Sequence, residues 1–213
     1  MHVDPFELFV SYVVLVFAIS VHEAAHAWTA SRYGDPTARM LGRITLNPMY
    51  HIDPIGTFVL PVIALISGMP LIGWGKPTPV NPVNFGKNHV RADIMTSVAG
   101  PVSNLLVATA SVLILAMVTR AQFMLGGAAE PLFRLFVAAL EINVLLAVFN
   151  IIPVPPLDGS HVLRHALSGR ALELYDRIGV FGLLLLFLVG GSIIRSLEAP
   201  FMAFFARLLV AIS

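Results

Sequence analysis

The chain of 213 residues has no cysteine and very little charge. Without cysteine there is no disulfide framework, no thiolate ligand and no cysteine nucleophile, so any bound metal must rely on histidine, aspartate or glutamate. Only 12% of the residues are Asp, Glu, Lys or Arg, against 57% hydrophobic, which leaves no room for a large soluble domain. The net charge is +1, and the basic residues are scattered through the loops without forming a stripe, which argues against a nucleic-acid partner. Basic residues are also missing from Met1-His2-Val3-Asp4-Pro5, which therefore lacks the n-region of a signal peptide. The apolar run behind it is expected to be a retained span.

What the chain has is hydrophobic length. The composition predicts an all-α polytopic integral membrane protein with about five to six hydrophobic segments, forming a single transmembrane domain over residues 1–213. The first helix should run from about Pro5, which suits a first helical position, to about Tyr33, with Gly34 as its stop. Further apolar segments lie at Thr57 to Ile72, Val90 to Val118, Pro131 to Ile152 and Ile178 to Ile194. Phe201 to Ile212 reads as a short crossing or an interfacial helix. Between the first two segments, Arg43-Ile44-Thr45-Leu46 alternates polar and apolar residues, which predicts a short β-strand or hairpin over Gly42 to Asn47 whose edge could receive a peptide. Gly73 to Pro82 carries three prolines and should form an extended loop.

Within the first span stands His22-Glu23-Ala24-Ala25-His26. On a helix two histidines four residues apart share one face, and Glu23 sits beside them. Two neutral imidazoles leave room on a zinc ion for a third ligand and a water, which the metal acidifies and the glutamate can deprotonate. Ionisable groups in a membrane helix are costly, so they call for a function or a partner. Asp158 is the best candidate for the third ligand, because it lies in a turn bounded by prolines and Gly159. Asn104 and Asn150 are amides in apolar helices, suited either to interhelical hydrogen bonds or to stabilising an oxyanion. Asn143 reads as structural. His161 and His165 repeat the four-residue spacing without a glutamate after His161 and are expected at the surface; His2, His51 and His89 read as loop histidines.

Charge gives an orientation. Arg32, Arg39 and Arg43 follow the first span, and Arg164, Arg170 and Arg177 follow Asp158, so the positive-inside rule puts both ends of the candidate site nearer the cytoplasm. The crossings between Tyr33 and Val90 must then be even in number. Thr57 to Ile72, short and interrupted by Pro61, Gly68 and Pro70, is therefore expected to be re-entrant.

The strings HEAAH, GRITLNP, HIDPIGT, GWGKPTPVNP, AGPVSN and FNIIPVPPLDG, in that order from Val21 to Gly159, resemble the site-2 protease family of intramembrane zinc metalloproteases. The chain is similar to its compact prokaryotic form, with no PDZ domain interrupting the core and no CBS pair following it. The resemblance implies one Zn2+ per chain on His22, His26 and Asp158, Glu23 as general base, and Asn104 and Asn150 beside the site. It implies a catalytic core over about 6–165, C-terminal helices over about 176–213, and hydrolysis of a membrane-protein substrate with a transmembrane helix, within the lipid bilayer of a prokaryotic cell. The alternative from another class is a metal-binding membrane transporter or sensor using the same cluster.

Overall fold

The computed structural model describes residues 4–67, 73–189 and 191–213. The first helix, α1 (Pro5–Arg32), starts where Asp4 caps it by accepting a hydrogen bond from the Phe6 amide, with Pro5 at the first position, where no amide hydrogen is needed. It ends before Gly34, whose φ of +104° only glycine adopts without strain. Phe6, Phe9, Val13 and Phe17 recur every three to four residues and form an exposed apolar stripe. The opposite face, with Val14, Ala18, His22 and His26, is buried.

α1 packs against α3 (His89–Arg120) and α4 (Ala129–Ile151), which also pack against each other. Small residues on α3, among them Gly100, Ala108 and Ser111, are buried in these contacts, where they let helix backbones approach closely. Away from the histidines the bundle is filled by Val112 and Leu115 of α3, Leu140, Val144 and Val148 of α4, and Phe205 of the last helix, α7 (Gly191–Ile212). The short helix α5 (Asp158–Ala166) lies against α3 and α4, and α6 (Gly169–Val189) touches α7.

Among the described residues three helical stretches, Pro5–Arg32, Pro82–Arg120 and Gln122–Ile151, are long and apolar enough to cross a membrane. The protein is thus an integral membrane protein, but the count of five to six segments is not reproduced. Of the run expected from Ile178 to Ile194, the part up to Val189 lies in α6, which bends at Gly179 (φ +39°), and the part from Gly191 lies in α7. Residue 190 lies outside the described residues. Phe201 to Ile212 falls within α7, whose Phe201 and Phe205 pack on α3 and α4.

The strand expected over Gly42 to Asn47 is not formed. Local partners take its backbone groups: the Gly42 and Arg43 amides close a turn onto Arg39 and Ala38, the Asn47 amide donates to the Thr45 hydroxyl, and the Thr45 carbonyl accepts from His51 Nε2. The alternation is real but inverted, with Arg43 buried and Ile44 and Leu46 exposed.

The segment expected to be re-entrant opens with a π-helical turn, Pro54–Val59, and continues as α2 (Leu60–Ser67). It returns to its starting point. The Trp74 amide donates to the Gly56 carbonyl (3.2 Å), and the Thr57 hydroxyl donates to the Trp74 carbonyl (2.9 Å). A Cβ on Gly56 would lie 2.3 Å from the Trp74 ring, so only glycine permits this closure. The two ends of the segment are pinned together by these bonds, and residues 68–72 between them lie outside the described residues.

Candidate metal centre

The four-residue spacing on α1 stacks the rings of His22 and His26 edge to face, with centroids 4.6 Å apart. Both are buried. The chain returns to them at the start of α5, where Leu157 occupies the N-cap position without a side-chain cap and Asp158 is the first helical residue. The Asp158 carboxylate turns toward α1 instead of capping its own helix: Oδ2 lies 3.0 Å from His22 Nε2, and Oδ1 lies 3.4 Å from His26 Nε2. One ligand atom from each residue falls within 4.8 Å of the other two. Gly159 makes this turn possible, because a Cβ there would sit 2.0 Å from the Ile151 carbonyl oxygen at the end of α4.

The far side of each imidazole sets its tautomer. His26 Nδ1 lies 2.7 Å from the Thr96 carbonyl, which can only accept, so Nδ1 carries the proton. His22 Nδ1 lies 2.6 Å from Asn104 Oδ1. The Asn104 amide nitrogen donates to the Ala18 carbonyl (3.2 Å) and to Asn143 Oδ1 (2.8 Å), which fixes its oxygen toward His22. Both neutral rings therefore present bare Nε2 lone pairs to a carboxylate. Asp158 Oδ2 is buried and accepts no hydrogen bond. Converging lone pairs with no hydrogen between them are the donor set of a divalent cation, and two nitrogens with one oxygen suit zinc. The space is kept open by Gly100 of α3: a Cβ there would lie 2.5 Å from both His22 Cε1 and His26 Nε2.

Glu23 faces the proline loop. The Thr78 amide donates to its Oε2 (2.8 Å), and the Thr78 hydroxyl donates to its backbone carbonyl (2.9 Å). The loop is held from behind by Arg43, whose buried guanidinium donates to the carbonyls of Lys76 and Pro77, while the Lys76 amide donates to His51. Burial lowers the Arg43 pKa from its ordinary value, and the nearby Glu23 carboxylate opposes that shift. His51 is not an ordinary loop histidine but a buried one, its pKa pushed down by burial, with Arg43 adding to the effect.

These groups open onto a cavity of about 680 Å³ lined by His22, Glu23, His26, Asp158, Thr78 and Asn150, among others. Asn150 donates one amide hydrogen to the Leu146 carbonyl (2.9 Å) on its own helix. Asn104 is different: it is fully buried behind His22 with both amide hydrogens engaged, so the expectation of an oxyanion donor rests on Asn150. Asn143, read as structural, proves to be the next link behind Asn104, donating in turn to the Ala139 carbonyl (2.8 Å). Sequence reasoning passed over Arg43 and Thr78. The only sign of them was a polar residue inside the motifs GRITLNP and GKPTPVNP.

Residues 125–189 match Peptidase family M50. The chain is 38% identical over 153 residues to a Bacillus subtilis protein named "Putative zinc metalloprotease YwhC", covering 71% of this chain and 66% of that protein. It is 32% identical over 169 residues to "Putative zinc metalloprotease Rip2" of Mycolicibacterium smegmatis (75% of this chain, 60% of that one). With the Mycobacterium tuberculosis protein of the same name it shares 31% over 180 residues (80% and 63%). The matches thus span 60% to 66% of the length of these relatives. No solved structure matches.

Proposed function

Because the chain belongs to peptidase family M50, the site-2 protease family, we propose that it is a zinc metallopeptidase that cleaves membrane-spanning substrates, with His22, His26 and Asp158 holding the ion and Glu23 as the general base. The observation that carries this reading is the convergence of two bare Nε2 lone pairs and a carboxylate around a space that the Cβ of any residue but glycine at position 100 would fill.

Bound zinc supplies a Lewis acid that polarises a carbonyl and lowers the pKa of water. Glu23, on the same helix as the two histidines and lining the same cavity, takes a proton from water and passes it to the leaving nitrogen. The Thr78 amide holds the Glu23 carboxylate in place through its Oε2, leaving the other oxygen for the proton. Asn150, with one amide hydrogen on Leu146, has a second to offer a developing oxyanion. Asn104 fixes the His22 tautomer. Substrate carbonyls in a helix are already hydrogen-bonded, so the cleaved segment must unwind beside the cavity, where the extended loop Gly73 to Val80 forms one wall. The arginines around Tyr33 and after Asp158 support a site that opens toward the cytoplasm.

The test is purification in detergent, with zinc quantified and a panel of single-span substrates incubated with wild type and Glu23→Gln. The expected result is cleavage by wild type only, with zinc retained by both. Equal cleavage by the two proteins would overturn the mechanism. Zinc retention and ion flux without any cleavage would favour a transporter.

A further inference from the structure

Two of the helices that frame the metal centre carry their polar groups at matching intervals. On α5, Asp158, His161 and His165 stand at i, i+3 and i+7 and share one face; on α3, Asp93, Thr96 and Gly100 stand at the same intervals and share another. The two faces meet. Asp93 forms an ion pair with both imidazoles of α5, its Oδ2 lying 3.3 Å from His161 Nδ1 and 2.7 Å from His165 Nε2. It has no lysine or arginine partner among the described residues. One turn further along α3 the Thr96 carbonyl holds His26 Nδ1 at 2.7 Å, and after another turn Gly100 leaves room for the imidazoles of α1. α3 is therefore a common ruler: it fixes His26 through Thr96, and it fixes α5, which bears Asp158, through Asp93.

α5 needs such a fixture. It is nine residues long, and Asp158 is its first, with no side-chain cap before it. α6 secures the turn behind it, where the Tyr175 hydroxyl reaches the carbonyls of Pro153 (3.1 Å) and Ser160 (3.4 Å). Those contacts hold the N-terminal end of α5 from one side and leave its rotation about its own axis unset. Two contacts a turn apart, on the face that carries Asp158, set that rotation, and Asp93 makes both. A roll of about 20° carries a side-chain tip some 5–6 Å from the helix axis through about 2 Å. That is about the length of a zinc–ligand bond.

On the reading of His22, His26 and Asp158 as the zinc ligands, we propose that Asp93 is a positioning residue of the metal centre: by holding His161 and His165 it seats α5 so that the Asp158 carboxylate meets the two imidazoles of α1. Asp93 acts through the two histidines. Its loss leaves all three ligands on the chain but frees one of them to turn away, so zinc binds more weakly without being lost.

The experiment measures zinc affinity by chelator competition on the detergent-solubilised protein, with thermal unfolding at fixed free zinc and the visible spectrum of the cobalt-substituted protein alongside. Asp93→Ala should weaken zinc by about 10-fold, the low end for groups standing behind a ligand, and should change the cobalt bands. The double variant His161→Ala/His165→Ala should lose as much, and adding Asp93→Ala to it should cost nothing further. Asp93→Asn, whose amide oxygen can still accept from both imidazoles, should recover part of the affinity. A merely structural role would lower the thermal midpoint and leave affinity and spectrum alone, as is expected of Leu140→Ala in the bundle core. Affinity for Asp93→Ala within about twofold of wild type, or losses from Asp93→Ala and the double histidine variant that simply add, would overturn this inference and leave the proposed function standing. A wild type that binds no zinc would overturn both.

Discussion

Replacing Asn104 with leucine tests whether the metal centre depends on the amide behind His22. The two side chains are close in volume, so the change removes hydrogen bonding at nearly constant packing. Asn104 is 0% exposed, and no bulk water can take its place. It accepts from His22 Nδ1 at 2.6 Å and donates to Asn143 Oδ1 at 2.8 Å and to the Ala18 carbonyl at 3.2 Å. The Ala18 carbonyl keeps its place in the α1 ladder, so two groups are stranded: the His22 Nδ1–H and Asn143 Oδ1. At ~1–3 kcal/mol for each buried group left unpaired, the fold loses roughly 2–6 kcal/mol. Releasing the tautomer of a ligating imidazole lowers zinc affinity by about 10- to 100-fold. Asn143→Leu leaves the His22 bond intact and should cost stability with little loss of affinity. The double variant should be less destabilised than the sum of the singles, with a coupling of about 0.5–3 kcal/mol, because each single strands the other amide. Zinc affinity is read by chelator competition, and stability by thermal unfolding at fixed free zinc, since bound metal itself raises the midpoint. If Asn104→Leu binds zinc within about twofold of wild type, the orienting role assigned to this amide is refuted.

Other perturbations separate the remaining parts of the site. Gly100→Ala places a Cβ 2.5 Å from both imidazoles and should abolish zinc binding in a protein that keeps its helical circular dichroism. Arg43→Lys keeps the charge but loses the terminal guanidinium nitrogen that donates to both carbonyls, so the proline loop and Glu23 shift; kcat should fall by on the order of 10-fold with zinc content unchanged. Asp35 accepts from Thr37, Asn81 and Asn84; burial raises its pKa, and these hydrogen bonds more than reverse the rise. Its folded pKa lies below the ordinary 3.8, so its contribution is present above that value and lost as pH falls through the folded pKa. Thermal stability should therefore drop in acid for wild type and drop less steeply for Asp35→Asn.

The parts of the site set by local spacing were legible in the sequence. A four-residue interval puts two histidines on one face of a helix wherever that helix lies, and a proline-bounded aspartate before a glycine is directed by its own backbone. What could not be read was what stands behind each ligand. The orientation of Asn104 depends on Asn143, thirty-nine residues away on α4, and no periodicity marks that pair. The alternation at Arg43 to Leu46 was read as a strand because a period of two says which residues share a side without saying whether a second strand is there to pair with, and here turns and the His51 side chain take the backbone groups. Beside a membrane the polar side was the buried one.

The way α5 is docked has a mechanical consequence. Apolar helix faces in a bilayer can slide along one another at little cost, because lipid tails are as good a neighbour as another helix. α5 is located by directional contacts instead: Asp158 against α1, Gly159 against the end of α4, and His161 with His165 against α3. These sit on one short rigid rod and share a single adjustment. A slip of one residue, about 1.5 Å along the axis, would take both imidazole–carboxylate clusters apart together. α5 therefore works like a key with two bits, and whatever moves it along its axis opens both locks at once.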